Sequence, residues 1–193
     1  MADQLASPSD LAVLLGIPLD APKMTLVIEA ATAVVQAITG QRLVEVEDDE
    51  ITLLGSTDSW LDLPQRPVTA ISVVNAAGVV LAEGTGRGMY RQFGARLWRS
   101  CGWAECAYEP SAVTVTYSHG YPAGDQGLQV ARQATLGLAA GVYNNPGGGV
   151  SREQIDDYTV AYEAAAAAMD GSPHLRSSLR RQYSRRSGLV RIG

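Results

Sequence analysis

Two histidines, His119 and His174, are the only imidazoles in the 193 residues. That leaves little raw material for a histidine metal site or a nucleophile activated by a histidine base. His119 lies in TYSHGYP, where a strand pattern gives way to a helix pattern, and such a corner can carry chemistry if an acid stands nearby. The plainer reading, which the residues favour, is a turn histidine bonded to local backbone. His174 sits at a helix start and reads as an exposed first-turn residue. The carboxylates of EVEDDE (Glu45, Glu47, Asp48, Asp49, Glu50) have the charge for a hard cation, but their spacing and the missing glycine are unlike a calcium loop. They are expected as a solvated hairpin. Asp156 and Asp157, near Glu153, read as exposed residues at a strand entry. GTGRG, residues 84–88, lacks the Lys-Ser/Thr ending and the following helix of a phosphate cradle, so it reads as a hairpin loop. No nucleophile elbow or dinucleotide fingerprint is present. No catalytic residue, cofactor or metal is expected, and the chain is not read as an enzyme. Cys101 and Cys106, in CGWAEC, are expected as free thiols in a loop.

The arginines of the carboxyl end are the exception to this blandness. Arg176, Arg180, Arg181, Arg185, Arg186 and Arg191 gather at one end of a chain whose net charge is -5. Leu189, Val190 and Ile192 are interleaved with them. A segment that docks into an acidic or apolar groove uses both residue kinds. Contact with nucleic-acid phosphates is the rival reading, and the acidic remainder argues against it as the main task.

The elements that must position these groups follow from periodicity. Ser7, Pro8 and Asp10 form a helix start, Leu11, Leu14 and Leu15 follow, and Gly16 ends the helix. Asp20 and Pro22 open a second helix with a stripe of Met24, Val27, Ile28, Ala31, Val34, Val35 and Ile38, stopped by Gly40. From Gln41 to Tyr117 short alternating runs predict an antiparallel sheet or sandwich, with hairpins at Asp48-Asp49, at residues 75–78 and at Phe93-Gly94. Trp60, Leu61, Leu63, Val68, Ile71 and Val73 supply much of its apolar material, and Pro67 marks a strand edge. Val113, Val115 and Tyr117 alternate as one strand face. Beyond the turn Leu128, Ala131, Ala134, Leu136, Leu138, Ala139 and Val142 recur as on the buried face of a helix. Residues 144–149 break the pattern, Ile155 to Tyr162 ends as a strand, the alanine run 164–168 is helix or extended, and Ser172-Pro173 opens a last helix through Leu179 and Tyr183. No secretory signal is seen and no segment is judged long or apolar enough to span a bilayer, so a cytoplasmic origin and no membrane partner are expected. The fold class is α+β: a small helical bundle carrying an inserted antiparallel sheet or sandwich, with a basic C-terminal helix and tail. The body comprises 1–40 plus 118–184, the insertion 41–117 and the flexible tail 185–193.

In this order the segments SPSDLAVLLGIPLD, ITGQ, LPQRPVTAISVV, VTVTYSHGYP, SREQIDDYTVAYE and LRRQYSRRSG resemble the head-to-tail connector, or adaptor, proteins of long-tailed bacteriophages, over residues 9 to 187. The resemblance implies a structural virion protein at the neck, made in the host cytoplasm. It implies a homo-oligomeric ring, commonly of twelve subunits, joining the portal protein to a stopper or tail-completion protein while genomic DNA passes through the lumen without specific binding. A stopper or terminator protein is the related alternative, and a small DNA-binding module a more distant one. The resemblance assigns portal binding to the carboxyl end: Arg180, Arg181, Tyr183, Arg185, Arg186, Leu189, Val190 and Ile192. Tyr117, His119, Gly120, Tyr121 and Pro122 become the hinge at which the insertion rejoins the body.

Overall fold

The computed structural model describes residues 4–104, 111–144 and 165–183. The chain divides into two compact units, Met1–Gln41 with Gly124–Gly193, and Arg42–Ala123. The second division falls after Ala123, with Tyr117 to Pro122 inside the β unit. The glycine loop 147–149, the strand expected within 151–163, Cys106 and residues 185–193 lie outside the described residues.

In the helical unit, α1 (Pro8–Leu15) begins where the sequence places a helix start, and does so with a capping box. The Ser7 hydroxyl accepts from the Asp10 amide while the Asp10 carboxylate accepts from the Ser7 amide, and Gly16 closes the helix. Arg132, on α3 (Gln129–Asn144), donates to the same carboxylate at 2.7 Å. The Ser7 hydroxyl, opposed by burial and helped by Arg132, holds the Asp10 carboxyl below the usual aspartate range. A depressed folded-state pKa contributes stability that is present above the unfolded value and lost as pH falls through the folded one. Asp10→Asn is therefore expected to cost about 1 kcal/mol near neutral pH, and the gap to wild type should close below about pH 4. Urea midpoints at neutral and acid pH measure this; an equal cost at both would assign the effect to shape alone.

The long helix α2 (Ala21–Thr39) turns Met24, Val27, Ile28, Ala31, Val34 and Val35 inward and packs against α1, α3 and the last helix. Asp20 occupies its cap position without a side-chain hydrogen bond to the helix. At 19 residues α2 does reach the length and apolarity of a bilayer span, contrary to the sequence expectation. Its apolar stripe is instead the one that faces neighbouring helices, the ordinary position of a core helix. Before α3 a single 3-10 turn, Gln126–Leu128, is capped by Asp125. Helical residues 165–170 (α4) show that the alanine run is helix where it is described, and α5 (Pro173–Tyr183) follows.

The β unit holds two antiparallel sheets. One has the order β1-β7-β3-β4: β1 (Val46–Gly55), β3 (Val68–Ala76), β4 (Val79–Val80) and β7 (Ser111–His119). The other is β2-β6-β5: β2 (Trp60–Asp62), β5 (Tyr90–Phe93) and β6 (Arg96–Arg99). One core serves both: Val113, Val115 and Tyr117 of β7 meet Leu61, Leu63, Val74, Tyr90, Leu97 and Trp103. The α+β class holds. Hairpin turns fall at Ala77-Gly78 and at Gly94-Ala95, close to where turn residues predict them. The hairpin expected at Asp48-Asp49 is absent. Residues 46–55 form one strand whose register shifts between Val46 and Asp49, with Asp48 at φ 47°. Aspartate tolerates the left-handed region in bulges as it does in turns, and the pairing of β1 along β7 selects the bulge. Hydrogen bonds from the Ser72 hydroxyl to the Asp48 carboxylate, and from the Asp48 amide to Ser118 Oγ, hold it there.

Candidate functional site

His119 ends β7 with its imidazole fully buried. Its Nε2 donates to Asp49 Oδ2 at 3.0 Å, and Nδ1 is enclosed without a partner among the described residues. An acid does stand beside the histidine, which sequence alone did not reveal. The geometry is nevertheless that of a clasp between β1 and β7, since the ring has no exposed atom with which to meet a substrate. Its neighbour Tyr117 stacks at a tilt, 5.1 Å between centroids. Among the described residues no three His, Cys, Asp or Glu side chains converge as metal ligands. Cys101 is a free, exposed thiol.

The other residues expected at a hinge continue this clasp. The Gly120 amide donates to Pro67 O, the Tyr121 amide to Leu43 O and the Glu45 amide to Tyr121 O. Gly120 sits at φ 92°, and a Cβ there would lie 2.5 Å from Val44 O, so only glycine lets the two backbones approach. Tyr117, His119, Gly120 and Tyr121 thus lock the β unit's ends together, with Pro122 exposed just beyond.

At the carboxyl end the structure separates residues that the sequence grouped. Arg180 and Arg181 are exposed on the last turn of α5, where the helix dipole favours positive charge. Tyr183 is not available as a docking residue: it is buried, its hydroxyl donating to Gly127 O and accepting from the Ala131 amide. Arg176 pairs with Asp170 at 2.8 Å. Arg185, Arg186, Leu189, Val190 and Ile192 lie outside the described residues.

A surface that the sequence did not single out lies on the second sheet. Trp60 reads in sequence as core material, yet it is 38% exposed while Leu61 beside it is buried. The alternation of strand β2 sends them to opposite faces. Phe93, at 45% exposure, meets Trp60 edge to face at 5.5 Å. Arg96 lies over the Trp60 ring and Arg91 over the Phe93 ring.

No protein-family profile and no curated protein matches the chain. Solved structures do. The chain is similar to one in the neck of a native gene transfer agent (GTA) particle computed with C12 symmetry, at TM-score 0.52 and 15% identity over 95% of this chain and 91% of that one. A chain in the neck of an empty GTA particle, computed with C6 symmetry, aligns at TM-score 0.45 and 19% identity, covering 89% of this chain and 82% of that one. At these identities the first likeness establishes a shared fold: over nearly its whole length, the chain follows the architecture of a neck subunit.

Proposed function

We propose that the protein is a noncatalytic structural subunit of a phage-like particle's neck, an adaptor that forms a homo-oligomeric ring and joins the portal protein to a stopper or tail-completion protein. The observation that carries this reading is the fold likeness to a neck chain over 95% of this chain. The order of segment motifs in the sequence supports it independently. The neighbour's C12 symmetry favours twelve subunits. Enclosure of His119 removes the residue on which an enzymatic reading rested. The net charge of -5 suits a channel through which DNA slides, because retained phosphate contacts would slow its passage.

Portal contact is assigned to exposed Arg180 and Arg181 together with Arg185, Arg186, Leu189, Val190 and Ile192, leaving Tyr183 to the core. Ending the chain after Tyr183, combined with Arg180→Glu and Arg181→Glu, should weaken capture by portal rings at least about tenfold, or roughly 1.4 kcal/mol. Circular dichroism should remain that of the wild type. Undiminished capture removes the portal assignment from this segment. Cryo-electron microscopy of assembled particles tests the larger reading by axial position: density directly beneath the portal supports the adaptor, and density lower in the neck supports a stopper or terminator instead.

A further inference from the structure

Strand register places six side chains on the outward face of the β2-β6-β5 sheet. Trp60, Trp98 and Arg91 form one cross-strand row, and Asp62, Arg96 and Phe93 the next. Leu61, Leu97 and Tyr90 take the opposite, buried face. The outward groups are held before any partner arrives. Trp60 and Phe93 touch edge to face, Arg96 sits 4.6 Å from the Trp60 centroid and Arg91 5.0 Å from that of Phe93, and Asp62 accepts from Arg96 at 2.7 Å. Two arginines against one aspartate leave the plate positive, and among the described residues Arg91 has no carboxylate partner. Trp, Phe and Arg are the residues that dominate protein interfaces, and side chains already ordered lose less entropy on binding.

We infer that this aromatic–arginine plate docks on the acidic edge of β1 in a second copy of the chain. Among the described residues the sheet order gives β1 a single neighbour, β7, so its other backbone edge has no described strand beside it. Along that strand Glu47, Asp48 and Glu50 are exposed, and among the described residues the side chains of Glu47 and Glu50 have no partner. Near the end of the same strand Leu54, 76% exposed, offers apolar surface to the plate's rings. The carboxylates are opposite in charge to the plate, and backbone pairing potential lies beside them. An open strand edge guarded by charge resists indiscriminate pairing but accepts a surface of opposite sign. Because the plate and the edge are different surfaces of one β unit, their contact is heterologous, and repetition of it generates a ring if the rotation closes.

This inference rests on the ring reading and names the surfaces through which the β units meet. Its test is light scattering after size exclusion on the full chain and on two variants, one carrying Arg91→Glu with Arg96→Gln and the other Glu47→Lys with Glu50→Lys. Phe93→Ser, at an exposed position, serves as a second plate variant that spares the Arg96–Asp62 pair. Each variant alone should weaken self-association at least about tenfold with unchanged circular dichroism. A mixture of the plate and edge variants retains one good contact per pair, so it should stop at heterodimers. If the wild type forms rings and all three folded variants form them equally well, the plate faces something else and the inference is overturned while the ring reading stands. If the wild type stays monomeric both alone and on portal rings, the ring reading falls and takes this inference with it.

Discussion

Gly55→Ala is expected to destabilise the β unit by about 3 kcal/mol or more, a cost at the upper end for a single added methyl group. A Cβ at this position would lie 2.2 Å from the Trp103 carbonyl oxygen, 2.8 Å from the carbonyl carbon and 2.8 Å from Val113 Cγ2. Relief needs a backbone shift of roughly 1 Å, because carbon atoms sit about 3.5 Å or more from their neighbours in good packing. The backbone around Trp103 has little room to retreat. Its amide donates to Ser56 O at 2.7 Å, its indole Nε1 donates to Ser59 O at 3.1 Å, and its ring is buried in the core shared by both sheets. Gly137 supplies the opposite case. It lies exposed in the interior of α3, and a methyl group added there would meet nothing within 4 Å, so Gly137→Ala should stabilise the helical unit by about 0.5–1 kcal/mol. All three tryptophans, Trp60, Trp98 and Trp103, belong to the β unit, so their fluorescence during denaturation isolates the first effect. A Gly55→Ala protein whose tryptophan transition coincides with that of the wild type would refute the close approach.

Local chemistry was legible in the sequence where a residue type has one structural use. Ser7, Pro8 and Asp10 predict a helix start and make one, with Ser7 and Asp10 as a capping box; Gly16 and Gly40 predict helix ends and make them. The alternation of Val113, Val115 and Tyr117 predicts a strand face that the structure buries completely. Where one residue type serves two purposes, the local pattern was insufficient. Asp48-Asp49 suits a turn as well as a bulge, and only the partner strand decides between them. Trp60 looks like core by composition, but with Leu61 and Leu63 facing inward the pleat must send it out. Long-range pairs left no local trace at all: His119 meets Asp49 across 70 positions, and Tyr183 meets Gly127 across 56. The plate on the second sheet combines both difficulties, since it needs the β2-β6-β5 strand order before its six side chains become neighbours.

Ending the chain at Gly171 should unfold much of the helical unit, so a truncation there cannot serve as a clean removal of a docking tail. The cut deletes α5, whose Leu179 is fully buried and whose Tyr183 is 6% exposed. Loss of a buried leucine costs about 2–5 kcal/mol and of a buried aromatic about 3–5, with incomplete additivity for neighbours on one helix. Even the low end, about 5 kcal/mol if the two add fully, is comparable with the 5–15 kcal/mol on which a typical domain rests. The Tyr183 hydroxyl adds a specific component, because without it the Ala131 amide and the Gly127 carbonyl at the entry to α3 both lose a partner. Tyr183→Phe isolates that component and should cost about 1–2 kcal/mol. A chain ending at Tyr183 keeps both buried side chains and should melt close to the wild type, which is why the portal assignment is best tested there. Thermal melts of the wild type, the two truncations and Tyr183→Phe, followed by helical circular dichroism, should therefore rank the Gly171 truncation lowest by a wide margin, with Tyr183→Phe between it and the other two. If the Gly171 truncation melts with the wild type, α5 contributes nothing to the helical core, and Tyr183 returns to the set of residues available for binding.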